Sequence, residues 1–252
     1  MADQPAFVYP PASREDTVDD YHGTQVADPY RWLEDPFAAD TQAFVAAQND
    51  LTLPYLASLP ERTALAERMR ETWNVSRTSA PVARSGVKVW SHNDGLADQP
   101  VIMVENVDGE RRVLIDPNAM SDDGAVAITQ TSLSPDGRLL AFNAAEAGSD
   151  WQVIRCAQTA DGVQLDDEIH HVKFSEVTWH EDGFFYSRFP AVDPTSTETV
   201  RNQTVWYHTL GTDQSDDRLI FENTEDPDPG YSAQMTPDEE YLVLIEWVGT
   251  SR

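Results

Sequence analysis

The stretch Ser134-Pro135-Asp136-Gly137-Arg138-Leu139-Leu140-Ala141-Phe142 decides the fold, because a tight turn leads directly into an apolar run. Proline presets φ for such a turn, and glycine adopts positive φ without steric cost, so Pro-Asp-Gly favours a hairpin tip. The residues that follow, Leu139 to Phe142, are typical of a buried β-strand. We therefore predict a β-hairpin around this turn.

The same pattern, a turn followed by an aromatic or aliphatic run, occurs three more times. The other turns are Ser85-Gly86, His180-Glu181-Asp182-Gly183 and Thr236-Pro237-Asp238-Glu239. Successive intervals are 51, 46 and 56 residues, counted between residues 86, 137, 183 and 239. Propeller blades of four strands repeat at about 40 to 50 residues. The spacing therefore predicts a partial β-propeller, with an irregular β-sandwich as the alternative.

Eight short runs after residue 76 have the composition of β-strands and are bounded by turn residues. They cover residues 87–90, 101–104, 112–115, 139–142, 151–154, 183–186, 205–208 and 241–245. This part of the chain is predicted to be all β, and we assign residues 76–252 to the first propeller blades.

The preceding part of the chain has a helical pattern. Apolar residues such as Phe44 and Leu51 recur at three- and four-residue steps after Asp40, the expected N-cap, until Pro54 interrupts the run. A second helix is predicted after Pro60, with Glu61 in its first turn and an apolar face. The residues of that face are Leu65, Met69 and Trp73. We assign residues 1–75 to an N-terminal helical arm.

The charge of the chain limits its partners and suggests its solvent. Asp and Glu number 44 against 17 Lys and Arg, which gives a net charge of −27, and only Lys88 and Lys173 are lysines. Such a surface repels phosphates, so we expect no binding to nucleic acid or to anionic membranes. Molar salt screens carboxylate repulsion to within roughly 3 Å. The composition favours a protein of a salt-loving organism, and an acidic mesophile protein is the alternative.

The sequence indicates a cytoplasmic protein. Met1 to Pro5 contain no basic region before an apolar core, and no run approaches the roughly 18 apolar residues of a membrane helix. Cys156 is the single cysteine, so no internal disulfide can form, and we expect it to be a small buried hydrophobe.

No motif identifies a catalytic group, a metal site or a cofactor site. The chain contains no G-x-S-x-G nucleophile elbow, no H-E-x-x-H pair and no phosphate-binding loop. His170 and His171 are adjacent, so on a strand they are expected to point to opposite faces, which argues against a metal site. We predict no catalytic residue, no metal and no cofactor, and these residues alone leave the function open.

Six motifs stand in a fixed order between about residues 9 and 247. They are Asp28-Pro29-Tyr30-Arg31-Trp32-Leu33-Glu34-Asp35-Pro36, Ala43-Phe44-Val45, Leu114-Ile115-Asp116-Pro117-Asn118, Gly148-Ser149-Asp150-Trp151, Val172-Lys173-Phe174-Ser175 and Tyr207-His208-Thr209-Leu210-Gly211-Thr212. In this order they resemble the prolyl oligopeptidases, a family of proline-specific serine peptidases. Each motif is weak by itself, and their common register over nearly the whole chain makes the resemblance specific.

The resemblance implies an N-terminal helical arm, a seven-bladed propeller and a C-terminal α/β-hydrolase domain that carries a Ser-Asp-His triad. This chain would be the front third of such an enzyme, with the arm, about three blades and no hydrolase domain. It would therefore be inactive alone. The implied partners are a proline-containing oligopeptide substrate and the enzyme's own hydrolase domain, on which the arm packs.

The implied role of this part is to gate access and to line the substrate pocket of an endopeptidase that cleaves short peptides after proline. By position, Phe174 matches a phenylalanine of the family's substrate pocket and Asp150 an acidic residue near the pocket mouth. The sequence departs from the family pattern around Asp228-Pro229-Gly230-Tyr231, where Tyr231 is the candidate to complete the pocket wall. Phe174 as blade core and Asp150 as a turn residue are the alternatives. A stand-alone, non-catalytic propeller-type interaction module is the alternative function.

Overall fold

A computed structural model describes residues 7–122, 124–146, 148–191 and 200–249. These residues form two compact units that divide between residues 72 and 73. The predicted segments 1–75 and 76–252 both include residues that lie outside the described ranges. The helices are α1 (Ala39–Ser58) and α2 (Arg62–Trp73), and the strands are β1 (Val18–Tyr21), β2 (Thr24–Ala27), β3 (Arg77–Thr78), β4 (Val82–Arg84), β5 (Val87–Asn93), β6 (Val101–Glu105), β7 (Arg111–Ile115), β8 (Val126–Leu133), β9 (Leu139–Glu146), β10 (Gln152–Gln158), β11 (Gln164–Val172), β12 (Thr178–His180), β13 (Gly183–Arg188), β14 (Thr204–Thr209), β15 (Arg218–Phe221), β16 (Gly230–Met235) and β17 (Leu242–Trp247).

The first unit contains the β1–β2 hairpin and most of the helical residues, and two details of its helices differ from the prediction. Helix α1 has Ala38 as its N-cap, because the Asp35 carboxylate accepts hydrogen bonds from the backbone N–H groups of Phe37 and Ala38 at 2.9 and 3.1 Å. Asp40 therefore lies in the first turn, where its charge still suits the helix dipole. The helix also continues through Pro54, near its C-terminal end, where the missing N–H removes only one backbone hydrogen bond.

Helix α2 contains the predicted apolar residues, but Glu61 precedes its first residue and so does not lie in its first turn as predicted. Leu65 and Met69 are four residues apart and therefore share a face, and they are 60% and 54% exposed. Phe44 of α1 differs, because its ring packs edge-on against Trp32 with the ring centroids 5.7 Å apart. No described helix has both the length and the apolar content needed to cross a membrane.

The second unit is a succession of antiparallel sheets. The first combines β3 to β7, with β3 and β4 both paired along β5, and the next two are the four-stranded sheets β8–β11 and β12–β15. Strands β16 and β17 form a two-stranded sheet. All eight predicted strand segments overlap strands of the structure, to within one residue at the starts of β10 and β17, which confirms the mainly β part of the prediction. This order of four-stranded meanders is that of propeller blades.

Each predicted turn joins the first strand position of a sheet to the second, so the sequence repeat is a structural repeat. The turns at Ser134 and Thr236 have the same geometry: the hydroxyl donates to the carboxylate two residues on, and it accepts from the backbone N–H five residues on. Gly137 takes φ +75° in the first of them, and a Cβ there would lie only 2.8 Å from the carbonyl oxygen of Arg84 in the preceding hairpin. Glycine at this position therefore allows neighbouring hairpins to approach closely.

The core lies between the sheets and consists of three clusters. The first cluster is shared by the sheets of Val104 and Phe142, the second by those of Ile154 and Phe184, and the third by those of Phe185 and Ala233. Successive residues of one strand enter different clusters, because side chains alternate between the two faces of a sheet. The inner strands β9 and β13 are accordingly buried on both faces. Cys156 is fully buried in the second cluster, as predicted.

The sheet β16–β17 has less cover than the others. Strand β17 is exposed at five of its six residues, and Val243 and Ile245, two residues apart on one face, are 46% and 40% exposed. Paired apolar residues on an open sheet form an association surface.

We predict that replacing both residues, Val243→Thr and Ile245→Thr, reduces self-association of the 252-residue chain. Threonine keeps the β-propensity of the strand and removes apolar surface, so binding of an apolar-surface dye and the oligomer fraction in size-exclusion chromatography should both fall. Measurements in about 2 M KCl suppress charge repulsion. The control is Val113→Thr in β7, since Val113 is also 46% exposed. An equal effect of this control, or a wild-type chain that is monodisperse and binds no dye, would contradict the prediction.

Candidate functional site

The loop between β11 and β12 presents a large aromatic side chain in an unusual backbone conformation. Phe174 has φ +55°, and it is 54% exposed. Left-handed backbone costs an L-residue roughly 1 to 2 kcal/mol, and it is rare for bulky side chains. Strained residues of this kind are concentrated at functional sites. The exposure also argues against the alternative that Phe174 is blade core.

Lys173 brings Phe174 together with Asp150, which lies in the connection between β9 and β10. Its ammonium nitrogen is 3.3 Å from a carboxylate oxygen of Asp150. It is also 5.4 Å from the ring centroid of Phe174 and 5.5 Å from that of Trp151. Cation–π contacts at exposed sites contribute about 0.5 to 1 kcal/mol each, so the lysine orients both rings. We call Asp150, Trp151, Lys173 and Phe174 the lysine cluster.

Tyr231, the third predicted residue, lies outside the lysine cluster. Its side chain is in the third core cluster, 2% exposed, with the ring centroid 4.9 Å from that of Phe221. Its hydroxyl accepts from the Asn223 amide at 2.8 Å and donates to Glu246 at 3.2 Å. The structure therefore connects Tyr231 to the Phe174 loop through its backbone and not through its ring.

That connection is made by four buried polar residues, which we call the polar clamp: Asn143, Ser175, Ser187 and Gln203. Each is no more than 2% exposed. The Gln203 amide nitrogen donates to the Lys173 carbonyl at 3.1 Å, and the Asn143 amide nitrogen donates to the Ser175 carbonyl at 2.9 Å. The Ser175 hydroxyl accepts from the Ser187 backbone N–H at 2.8 Å. The residues on both sides of Phe174 are thus held by hydrogen bonds.

The polar clamp also reaches the last sheet. The Gln203 side-chain oxygen accepts from the Tyr231 backbone N–H at 2.6 Å, and the Ser187 hydroxyl donates to the Tyr231 carbonyl at 2.7 Å. Buried polar groups that lose such partners cost about 1 to 3 kcal/mol each. These bonds therefore fix the relative positions of the Phe174 loop and β16.

A cavity of about 480 Å³ lies beside the lysine cluster, with Trp151 in its wall. Arg155, His170 and His171 also line it. Both histidines border the same cavity, contrary to the expectation of opposite faces, because His171 has φ +61° and interrupts the alternation of the strand. Burial, with the charges of His170 and Arg188, lowers the pKa of His171, so its ring is neutral at neutral pH. Among the described residues, no group of histidine, cysteine and carboxylate side chains has the arrangement of a metal site.

A second polar group lies between the middle sheets and resembles a catalytic arrangement only superficially. The fully buried imidazole of His208 contacts Asp217 at 2.7 Å through Nδ1 and Asp167 at 3.0 Å through Nε2. Tyr186 donates its hydroxyl to the other oxygen of Asp217 at 2.5 Å. Both ring nitrogens have carboxylate partners, so the ring cannot activate a serine. We call Asp167, Tyr186, His208 and Asp217 the histidine cluster.

The histidine cluster joins β11 of one sheet to β13 and β14 of the next. Burial opposes a charge on His208, but the hydrogen bonds with Asp217 and Asp167 outweigh it and raise its pKa above the ordinary value of 6.5. The two carboxylates therefore favour the charged form of the imidazole that bridges these sheets. Burial raises the pKa of the neighbouring Cys156 thiol to about 12, and the charge of Asp167 adds to the shift, so the thiol is not a nucleophile.

Sequence reasoning did not find the polar clamp. One signal was present, since Asn143 is the polar interruption of an apolar strand, Leu139 to Ala145, and polar residues in that setting are usually hydrogen-bonded. Gln203 gives no comparable signal, because its partners are 30 and 28 residues away in sequence.

Comparison with known proteins identifies similar chains. The family model described as the N-terminal β-propeller domain of prolyl oligopeptidase matches residues 10–251. The prolyl endopeptidase of Elizabethkingia meningoseptica is 37% identical over 239 residues, which cover 94% of this chain and 34% of that protein. Prolyl oligopeptidase A of Amanita bisporigera is 31% identical over 280 residues, with 97% and 37% coverage. This chain thus spans about a third of the length of these relatives.

Solved structures give the same result. A variant of prolyl oligopeptidase B from Galerina marginata, bound to a 25-residue macrocyclization substrate, superimposes with a TM-score of 0.81 at 31% identity. The match covers 95% of this chain and 37% of that one. A prolyl endopeptidase studied for inter-domain dynamics has a TM-score of 0.64 at 38% identity, with 96% and 35% coverage.

The histidine cluster predicts a pH dependence of stability. Because the pKa of His208 is raised by folding, its contribution is fully present below pH 6.5 and is lost as the pH rises through the folded-state pKa. His171 contributes the opposite slope, since its pKa is lowered by folding. We predict that His208→Gln destabilises the chain by about 3 to 5 kcal/mol at low pH, because it leaves two buried carboxylates without their cation. The difference from wild type should shrink at high pH.

The measurement is urea unfolding in molar KCl at a series of pH values. The control is His92→Gln, because the His92 ring is more accessible and its partner Asp94 is 93% exposed. A difference between wild type and His208→Gln that stays constant with pH would contradict a charged His208.

Proposed function

This chain belongs to the prolyl oligopeptidase family, as its N-terminal propeller region, and we propose that the protein carrying it is a serine endopeptidase that cleaves short peptides after proline. The observation that carries the proposal is the family match over residues 10–251, together with relatives that are named prolyl endopeptidases and oligopeptidases. Nothing in these comparisons supports the alternative of a stand-alone interaction module.

We assign substrate contact to Phe174 and Asp150. An exposed aromatic ring next to a charged pair offers apolar packing to a proline ring and polar contact to the peptide around it. The neighbouring cavity of about 480 Å³ has room for further peptide residues. Tyr231 would support the site from inside the core, through its backbone hydrogen bonds to Gln203 and Ser187.

Catalysis itself is proposed to come from a C-terminal α/β-hydrolase domain. Its serine would be activated by histidine, an aspartate would orient that histidine, and an oxyanion hole would stabilise the tetrahedral intermediate. The propeller region would exclude large substrates and form part of the pocket. Residues 1–75 would be the arm that packs on the hydrolase domain, which is supported by the exposed apolar face of Leu65 and Met69.

Two further properties are proposed from composition. The single cysteine is buried and cannot form an internal disulfide, which fits a reducing, cytoplasmic location. The net charge of −27 with only two lysines fits a protein adapted to high salt.

The proposed activity is tested with the full-length protein that carries this chain. We predict cleavage of a fluorogenic Gly-Pro peptide, with roughly 100-fold lower kcat/KM for the matching Gly-Ala peptide, and no cleavage by the 252-residue chain alone. Phe174→Ala should raise KM about tenfold, because it removes one aromatic contact of about 1.4 kcal/mol. The control is Phe37→Ala, which changes an aromatic residue that is 69% exposed in the first unit. Equal cleavage of both peptides, or a KM that Phe174→Ala leaves unchanged, would contradict the assignment.

The salt proposal is tested by the melting temperature. Screening of 44 acidic side chains against 17 basic ones should raise it steadily between about 0.1 and 2 M KCl. The melting temperature is also measured in sodium sulfate at matched ionic strength. Screening depends on ionic strength and is the same in both salts, whereas sulfate strengthens apolar burial more than chloride does, so the comparison separates the two effects. A melting temperature that stays constant or falls in KCl would contradict adaptation to salt.

A further inference from the structure

Phe174 combines three features that rarely coincide. Its backbone has φ +55°, its ring is large, and 54% of it is exposed, so burial of the ring does not explain why the strained conformation is kept. Such conformations persist only where the surroundings over-determine them. The structure must therefore contain groups that hold this turn from outside the ring.

The polar clamp supplies those groups on both sides of Phe174. The carbonyl before it accepts from the Gln203 amide, and the carbonyl after it accepts from the Asn143 amide. These amides come from different sheets, since Asn143 lies on β9 and Gln203 immediately precedes β14. Both side chains are 1% exposed, so water does not replace their hydrogen bonds.

Gln203 is the more informative of the two amides. Its oxygen is fixed by the Tyr231 backbone N–H at 2.6 Å, which determines the direction of its amide nitrogen toward Lys173. One side chain thus couples the Phe174 loop to the sheet β16–β17. The sulfur-containing isostere methionine would keep its volume and remove both hydrogen bonds.

We propose that Gln203 is a positioning residue that holds Phe174 in its left-handed conformation, so that the ring faces the substrate. The conformational part of this inference stands on the contacts alone, and the part that concerns substrate rests on the proposed function. Two separate measurements therefore test the backbone conformation of Phe174 and its contact with substrate independently.

The conformational measurement compares glycine with alanine at position 174. Glycine adopts positive φ without strain and alanine does not. As long as the polar clamp holds the turn, the melting temperature of Phe174→Gly should therefore be about 2 to 4 °C higher than that of Phe174→Ala. In a Gln203→Met background the turn can relax to negative φ, so the advantage of glycine over alanine in melting temperature should vanish or change sign. A change of sign would make alanine the more stable residue, because glycine has the larger entropy in the unfolded chain. The milder Gln203→Asn serves as a second background in case Gln203→Met does not fold.

A matched control for the background is Asn118→Leu. Asn118 also bridges a backbone donor and acceptor with one amide, since it bonds the N–H and the carbonyl of Gln99 at 2.9 and 3.0 Å. The difference between glycine and alanine at position 174 should be unchanged in this control. A difference that persists in both Gln203 backgrounds, or that disappears equally with Asn118→Leu, would overturn the proposal.

The substrate measurement uses the full-length enzyme and the Gly-Pro peptide. Gln203→Met should raise KM several-fold with little change in kcat, and it should have no further effect in a Phe174→Ala background, because it acts through that ring. An equal effect with and without the ring would indicate a purely structural role and would contradict the proposal. If the melting difference behaves as expected while neither variant changes KM, the positioning of Phe174 stands and the proposed substrate contact is wrong.

Discussion

The second unit is stabilised chiefly by the apolar faces that each sheet shares with its neighbours. Ala141 and Phe142 are consecutive residues of β9, and they enter different core clusters because the strand alternates between two faces. The same holds for Phe184 and Phe185 of β13. An inner sheet thus contributes to two interfaces, whereas β16–β17 contributes to one described cluster and leaves β17 largely exposed. Stability in such an array depends on nearest neighbours.

Apolar interfaces of this type do not by themselves fix the position of one sheet along the next, and buried polar side chains provide that specificity. The polar clamp joins three successive sheets at the loop of Phe174, and the histidine cluster joins two of them elsewhere. Each contact is costly if it is incomplete, because the groups are removed from water. The same polar residues that align the sheets therefore hold the exposed ring of the candidate site, so that fold and site depend on one set of hydrogen bonds.

Local patterns predicted much of the fold. The repeated turns were predictable because their hydrogen bonds are local: Ser134 and Thr236 each bond to groups two and five residues further along the chain. The predicted N-cap of α1, Asp40, was wrong by two residues, because the carboxylate of Asp35 orders the preceding turn and the N-cap is Ala38. The family resemblance selected Phe174 and Asp150 as candidate site residues, and the structure shows that Lys173 contacts both of them. Gln203 could not have been predicted, because its two partners are close only after three sheets have assembled.

The most direct test of the shared-face account is native-state hydrogen exchange, resolved by strand, for the chain in molar salt. If each sheet depends on its neighbours, the backbone amides of β9 and β13 should be the most protected, and those of β17 should exchange fastest among the strands of the second unit. Removing a methyl-rich contact from the shared interface, by Ile154→Ala, should lower protection in both adjoining sheets together. Uniform protection from β5 to β17, or a loss confined to the sheet of Ile154, would contradict the account.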